Sequence, residues 1–157
     1  HMVRKPIPSG SVQAARGKTI YPPAFAHIVE GRTKRKLGDH FELQNFGVNL
    51  TTLAPGAASA LMHHHSKQDE FIYVIAGELT ARLGDDEYPL KQGDCVGFKA
   101  GDGIGHQIVN RSTEPASYLE IGDRSIGDAA VFPEDDLQAK QGEGGKWLLT
   151  HKNGEPY

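Results

Sequence analysis

From Phe46 onward the apolar residues fall into short runs broken by turn signals. FGVNLTTL (46–53) meets Pro55-Gly56, DEFIYVIA (69–76) meets Gly77, and ELTARL (78–83) meets GDDE (84–87). DCVGF (94–98) leads to AGDG (100–103), and GHQIVN (105–110) and ASYLEI (116–121) follow. Each run has strand length and is rich in Val, Ile, Phe and Tyr. They recur about every 8 to 12 residues, the pattern of an all-β sandwich or barrel. Residues 3–24 carry Pro6, Pro8, Pro22 and Pro23 and read as an extended arm. After Pro133, the stretch EDDLQAK has acids at its start, which suits a helix N-terminus, and predicts a short helix or turn. QGEGG (141–145) reads as a loop before a last strand at WLLTH (147–151). The chain thus divides into a cloning scar (1–2), an N-terminal arm with edge strands (3–45), a barrel (46–122) and a C-terminal extension packed on it (123–157).

Composition narrows the function classes. The chain has 157 residues and a net charge of −3, the size of one domain with a real core. The slightly acidic balance argues against nucleic acid, and the one basic run, Arg32 to Lys36, reads as a solvated face. No run approaches the roughly 20 apolar residues of a membrane helix. Val3 to Gly10 is basic and proline-rich, unlike a signal peptide. The single Cys95 excludes an internal disulfide, fits a reducing cytosol, and reads as a buried, inert thiol. The expected location is cytoplasmic.

Three of the eight histidines form one triplet, His63-His64-His65. On a helix, neighbouring side chains point about 100° apart and cannot share an ion, and the helical zinc pattern of two His four apart is absent. On a strand, side chains alternate with period two, so His63 and His65 face one way and His64 the other. Glu70 follows a tight turn and opens the next strand, sharing a face with Ile72 and Val74 at the mouth of an apolar interior. His106 starts a strand after a glycine-rich turn and shares its face with Ile108. Three imidazoles and a carboxylate suit one divalent transition ion, Fe, Mn, Ni or Zn, with Cu also admitted. Four protein ligands on an octahedral ion leave two positions for water, dioxygen or substrate.

These stretches resemble the two motifs of the cupin superfamily. The first is carried by Gly56, His63, His65, Glu70 and Gly77, the second by Gly93, Gly101, His106 and Asn110. Lys99 stands where the family's proline is usual, and two extra residues precede His106. The likeness extends over 46–122 and implies a double-stranded β-helix, a jelly-roll barrel, with His63, His65, Glu70 and His106 as metal ligands. Beyond the motifs the chain is similar to small bacterial cupins, some of them isomerase-like. A small jelly roll exposes sheet edges, so the arm is expected to cross to a second copy and make a homodimer.

Two function classes follow. In the first, a metal-dependent isomerase, decarboxylase, lyase or dioxygenase acts on a small organic molecule, sugar-like or bearing a carboxylate or carbonyl. Glu70 is there the one ligand able to let go and serve as a catalytic base. The sequence leaves open which of Tyr73, Gln107 and Tyr118 faces the pocket. In the second, a non-catalytic module binds or senses a small molecule. His64, His27, His40 and His151 have no assigned function, and Asn110 is expected to fix a turn.

Overall fold

The computed structural model describes residues 4–157, so the expectation for His1-Met2 lies outside the described residues. Thirteen strands run through the described chain: β1 (Ala14–Arg16), β2 (Arg32–Lys36), β3 (Phe46–Leu53), β4 (His64–His65), β5 (Glu70–Ala76), β6 (Glu78–Leu83), β7 (Asp86–Lys91), β8 (Cys95–Phe98), β9 (His106–Val109), β10 (Ala116–Asp123), β11 (Ala129–Val131), β12 (Gln138–Gln141) and β13 (Trp147–Thr150). Two one-turn helices, α1 (Pro23–Ala26) and α2 (Leu37–His40), interrupt the N-terminal region. None of the helices is long and apolar enough to cross a membrane.

One sheet has the order β1-β2-β3-β10-β5-β8, with every neighbouring pair antiparallel. A second layer is built from β13-β12-β11-β4 and β7-β6-β9. Bridges at Ala58–Val109 and His63–His106 join these two groups, so the segment before β4 lies beside β9. The fold is all-β, as the run lengths predict, in a cupin-like arrangement of two packed sheets.

Period-two alternation is clearest in β5. Ile72 and Val74 are buried, whereas Phe71, Tyr73 and Ile75 face outward. The inward residues join Leu53, Leu79, Ala81, Ile108 and Tyr118 in the main core. A second core gathers Leu61, Ala130, Phe132, Leu137 and Ala139, with Tyr21, Phe25, Ile28, Trp147 and Leu149 against it. Packing the C-terminal hairpin this way removes apolar surface that the barrel alone leaves in water.

The structure departs from the sequence reading in four places. After Pro133 the turn, one of the two expected alternatives, is present, but it leads into β12, a strand not expected there, because Leu137 and Ala139 alternate inward with period two and are nearly fully buried. The N-terminal arm, described from residue 4, is not simply extended: α1 begins at Pro23, the position where a missing N–H costs a helix nothing, and Tyr21 and Phe25 pack on the second core. The basic run Arg32 to Lys36 is β2, hydrogen-bonded on both sides, and Arg32 is buried rather than solvated. Cys95 is exposed on β8 opposite Tyr73, because the face it shares with Tyr73 is the outer one.

Candidate metal centre

Each of the four predicted residues is delivered by backbone pairing. His63 and His106 hydrogen-bond to each other in both directions, N to O at 3.2 and 2.9 Å. β4 carries His65 two residues on, pairing with Ala130 of β11. Glu70 opens β5, between Gly122 of β10 and Phe98 of β8. The loop with the two extra residues and Lys99 is tied down by the Gly101 N–H donating to the His65 carbonyl at 2.9 Å, so His106 still arrives in register.

The side chains converge on one oxygen. Glu70 Oε1 lies 2.9 Å from His65 Nε2, 3.2 Å from His106 Nε2 and 3.5 Å from His63 Nε2. Donor atoms of His63, Glu70 and His106 all fall within 4.8 Å of one another, and His65 reaches the group through its contact with Glu70. His64 pairs with Val131 and does not line the cavity.

The rings are held from behind. His63 Nδ1 lies 2.7 Å from the Leu61 carbonyl, which only accepts, so Nδ1 carries a proton and Nε2 is the atom turned toward Glu70. His65 Nδ1 lies 2.6 Å from Asp128 Oδ2. His106 is fixed by stacking: its ring lies 3.8 Å from that of Phe98, at an interplanar angle of 3°. His63 stacks on Phe132, so the imidazoles also join the two cores.

Electrostatics favour an ionised Glu70 beside a protonated His65. Burial pushes Glu70 up, but the contacts from His106, His63 and His65 outweigh it and hold the carboxyl well below its usual range. Burial opposes charge on His65 as well, yet Glu70 and then Asp128 raise it to about 9. His106 goes the other way, lowered chiefly by burial. Both ring nitrogens of His106 and Glu70 Oε1 are buried without a hydrogen-bond partner. Native structures leave few such atoms unexplained. Three imidazoles and a carboxylate, several of their atoms orphaned, fit a divalent transition ion.

The cluster opens into a cavity of about 810 Å³. That is within the usual size range for small-molecule sites. Tyr118, Glu120 and Gly122 of β10 line it, with Lys34 and Lys36 of β2. Glu120 accepts from Thr51 Oγ1 at 3.2 Å and pairs with Lys34 Nζ at 3.3 Å. The Tyr118 hydroxyl is buried without a partner, and burial, then the Glu120 charge, push it well above its ordinary value. The question left open among three residues resolves to Tyr118. Tyr73 faces outward, and Gln107 is spent on the Ala60 carbonyl and Arg82. Asn110 fixes a turn as expected, donating to the Leu53 and Glu114 carbonyls and accepting from Ser112. Sequence reasoning missed Asp128, Lys34 and Glu120. Alternation along β2 and β10 would have aligned Lys34 with Arg32 and Glu120 with Tyr118; Asp128 carries no local signal.

Comparison with known proteins places the chain. The family model described as Cupin domain matches residues 49–122. A crystal structure from Silicibacter pomeroyi, described as a sugar phosphate isomerase from a cupin superfamily, is 38% identical with a TM-score of 0.90, over 98% of this chain and 96% of that one. A proposed sugar phosphate isomerase from Acidithiobacillus ferrooxidans is 31% identical with a TM-score of 0.72, over 80% of each chain. The tetracenomycin polyketide synthase protein TcmJ of Streptomyces glaucescens is 33% identical over 67 residues; the match spans 43% of each protein, less than half the length of that curated relative.

Proposed function

The chain belongs to the cupin superfamily, and we propose that it is a metal-dependent enzyme acting on a small, hydroxylated and carbonyl-bearing molecule. In this reading His63, His65, Glu70 and His106 hold one divalent transition ion. The observation that carries it is the convergence of three Nε2 atoms on one buried carboxylate oxygen at the wall of a cavity that also presents polar groups. When bound, such an ion supplies Lewis-acid polarisation of a substrate oxygen.

The chain's own residues do the rest. Tyr118, kept neutral by burial, is a hydrogen-bond donor toward the cavity. The Glu120 carboxylate, held by Thr51 and Lys34, accepts hydrogen bonds from substrate hydroxyls. An ion pair on the inner face of a β-barrel is costly unless it meets a ligand or is well bonded. Exposed Lys18 and Lys36 add positive charge at the cavity and suit a substrate with an anionic group. The relatives described as sugar phosphate isomerases make aldose–ketose isomerisation of a sugar phosphate the favoured reaction.

The test is a coupled isomerase assay on a panel of aldose and ketose phosphates, with protein stripped and then reloaded with Mn, Fe, Ni or Zn. Turnover that needs both the ion and Glu120, shown by its loss in Glu120→Gln, supports the reading. Ligand-dependent stabilisation without turnover favours the non-catalytic binding module instead. A wild-type chain that takes up no ion overturns the ligand set.

A further inference from the structure

Asp128 is fully buried and stands just before β11, outside the segment matched by the family model. Its two carboxylate oxygens have separate partners. Oδ1 accepts from the Lys67 N–H at 2.8 Å, the Gln68 N–H at 3.3 Å and the Ser66 hydroxyl at 3.2 Å. Oδ2 faces His65 Nδ1 at 2.6 Å. The Ser66 hydroxyl in turn accepts from the Ala129 N–H at 2.9 Å, and the Asp128 N–H donates to Gln141. The carboxylate is therefore locked in rotation, and its orientation decides that of the His65 ring.

We infer that Asp128 is a positioning residue for metal binding: it holds the His65 proton on Nδ1 and so presents the Nε2 lone pair to the ion. The inference rests on the ligand set proposed above and adds a carboxylate from the C-terminal extension to it. Metal-ligating histidines commonly give their other N–H to such a group, and losing it typically weakens binding 10–100-fold.

The chemistry of an asparagine substitution makes the role separable from a structural one. Two backbone N–H groups, of Lys67 and Gln68, demand an acceptor where Oδ1 now sits. In Asp128→Asn the new side chain must therefore place its amide oxygen there. Its NH2 group then faces His65 Nδ1 and donates to it. That forces the ring proton onto Nε2, the atom that must bind the ion. Asp128→Ala removes the loop's acceptor but imposes no tautomer.

The experiment measures zinc affinity by competition with a chromophoric chelator, and thermal unfolding of the zinc-free protein, for the wild type, Asp128→Asn, Asp128→Ala and His106→Ala. Asp128→Asn is expected to be the more stable of the two position-128 variants and the weaker zinc binder, 10–100-fold below wild type. In zinc-loaded wild type, nitrogen NMR should find the His65 proton on Nδ1. A merely structural Asp128 gives the opposite order, with zinc affinity following stability. That order, or an Asp128→Asn affinity within about twofold of wild type while His106→Ala has lost zinc, overturns the inference and leaves the ligand set standing. A wild type that binds neither zinc nor Mn, Fe or Ni overturns both.

Discussion

His63 and His106 sit directly opposite each other, 43 residues apart in sequence, as a mutually hydrogen-bonded antiparallel pair whose rings lie 4.5 Å apart. Their backbone pairing, not the triplet itself, sets the geometry of the candidate site. A register slip of one residue turns every side chain of the segment to the other face. It would exchange His63 and His65 for His64.

The first prediction tests that register. His106→Ala removes a proposed ligand, and His64→Ala removes a ring that does not line the cavity. His106→Ala should lose at least about tenfold in metal affinity, by comparison with losses seen for groups one step further from an ion. His64→Ala should keep wild-type metal content. Element analysis of both purified variants decides it, and the reverse result means the register is wrong.

A second prediction concerns pH. His65 is raised to about 9 in the ion-free fold, so it is protonated at neutral pH, while Glu70, held well below its usual range, is ionised. An incoming ion must displace the His65 Nε2 proton, so affinity should rise about tenfold per pH unit through the neutral range and level off near 9. Isothermal titrations in buffers of different ionisation enthalpy will count the released proton. Stability has its own sign. A raised His65 stabilises the ion-free fold fully below its ordinary value of 6.5, and this is lost as pH rises through about 9. The depressed Glu70 stabilises above its ordinary value of 4.5, and this is lost as pH falls through its lower folded value. Their joint contribution is largest between those two ordinary values, and ion-free melting curves should show a fall toward pH 9.

Tyr118→Phe should leave the fold at least as stable as wild type. The hydroxyl is buried with no partner, and an unsatisfied buried polar group costs about 1–3 kcal/mol. The same variant should lose activity if the proposed donor role holds. A destabilisation above about 1 kcal/mol in chemical denaturation would show instead that the hydroxyl has a protein partner.

Gly77→Ala should be severely destabilising. Gly77 has φ of 82°, and a Cβ there would lie 2.8 Å from the Ala116 Cβ and 2.9 Å from the Pro115 carbonyl oxygen. Backbone strain and overpacking together predict a loss of about 2–4 kcal/mol, readable in a denaturant titration. An alanine variant of wild-type stability would mean that the β5–β6 corner has another conformation.

What the sequence made legible follows its local periods. His63, His65 and Glu70 could be placed because two-residue alternation and one tight turn connect them. His106 could be read as opening a strand, but a loop of seven residues separates β8 from β9, so no local period announced its pairing with His63. The turn after Pro133 was legible, but β12 was not, because the acidic start outweighed the alternation of Leu137 and Ala139, which only the second core rewards. Lys34 and Glu120 were hidden by long-range pairing: their strands meet through β3, and nothing local says that a basic run near a sheet edge faces inward. Asp128 lies 63 residues from His65 and is joined to it only by the fold.

The pairing of β4 with β11 also has a consequence in time. A ribosome that has released residues up to Asp123 has already delivered all the histidine and glutamate side chains of the cluster, yet not the strand that lies beside His65. The nascent barrel at that moment has the donor atoms but not the carboxylate behind them. Completion of the cluster waits for the C-terminal extension, so the maturing chain acquires its orientation at His65 only after synthesis has passed the barrel.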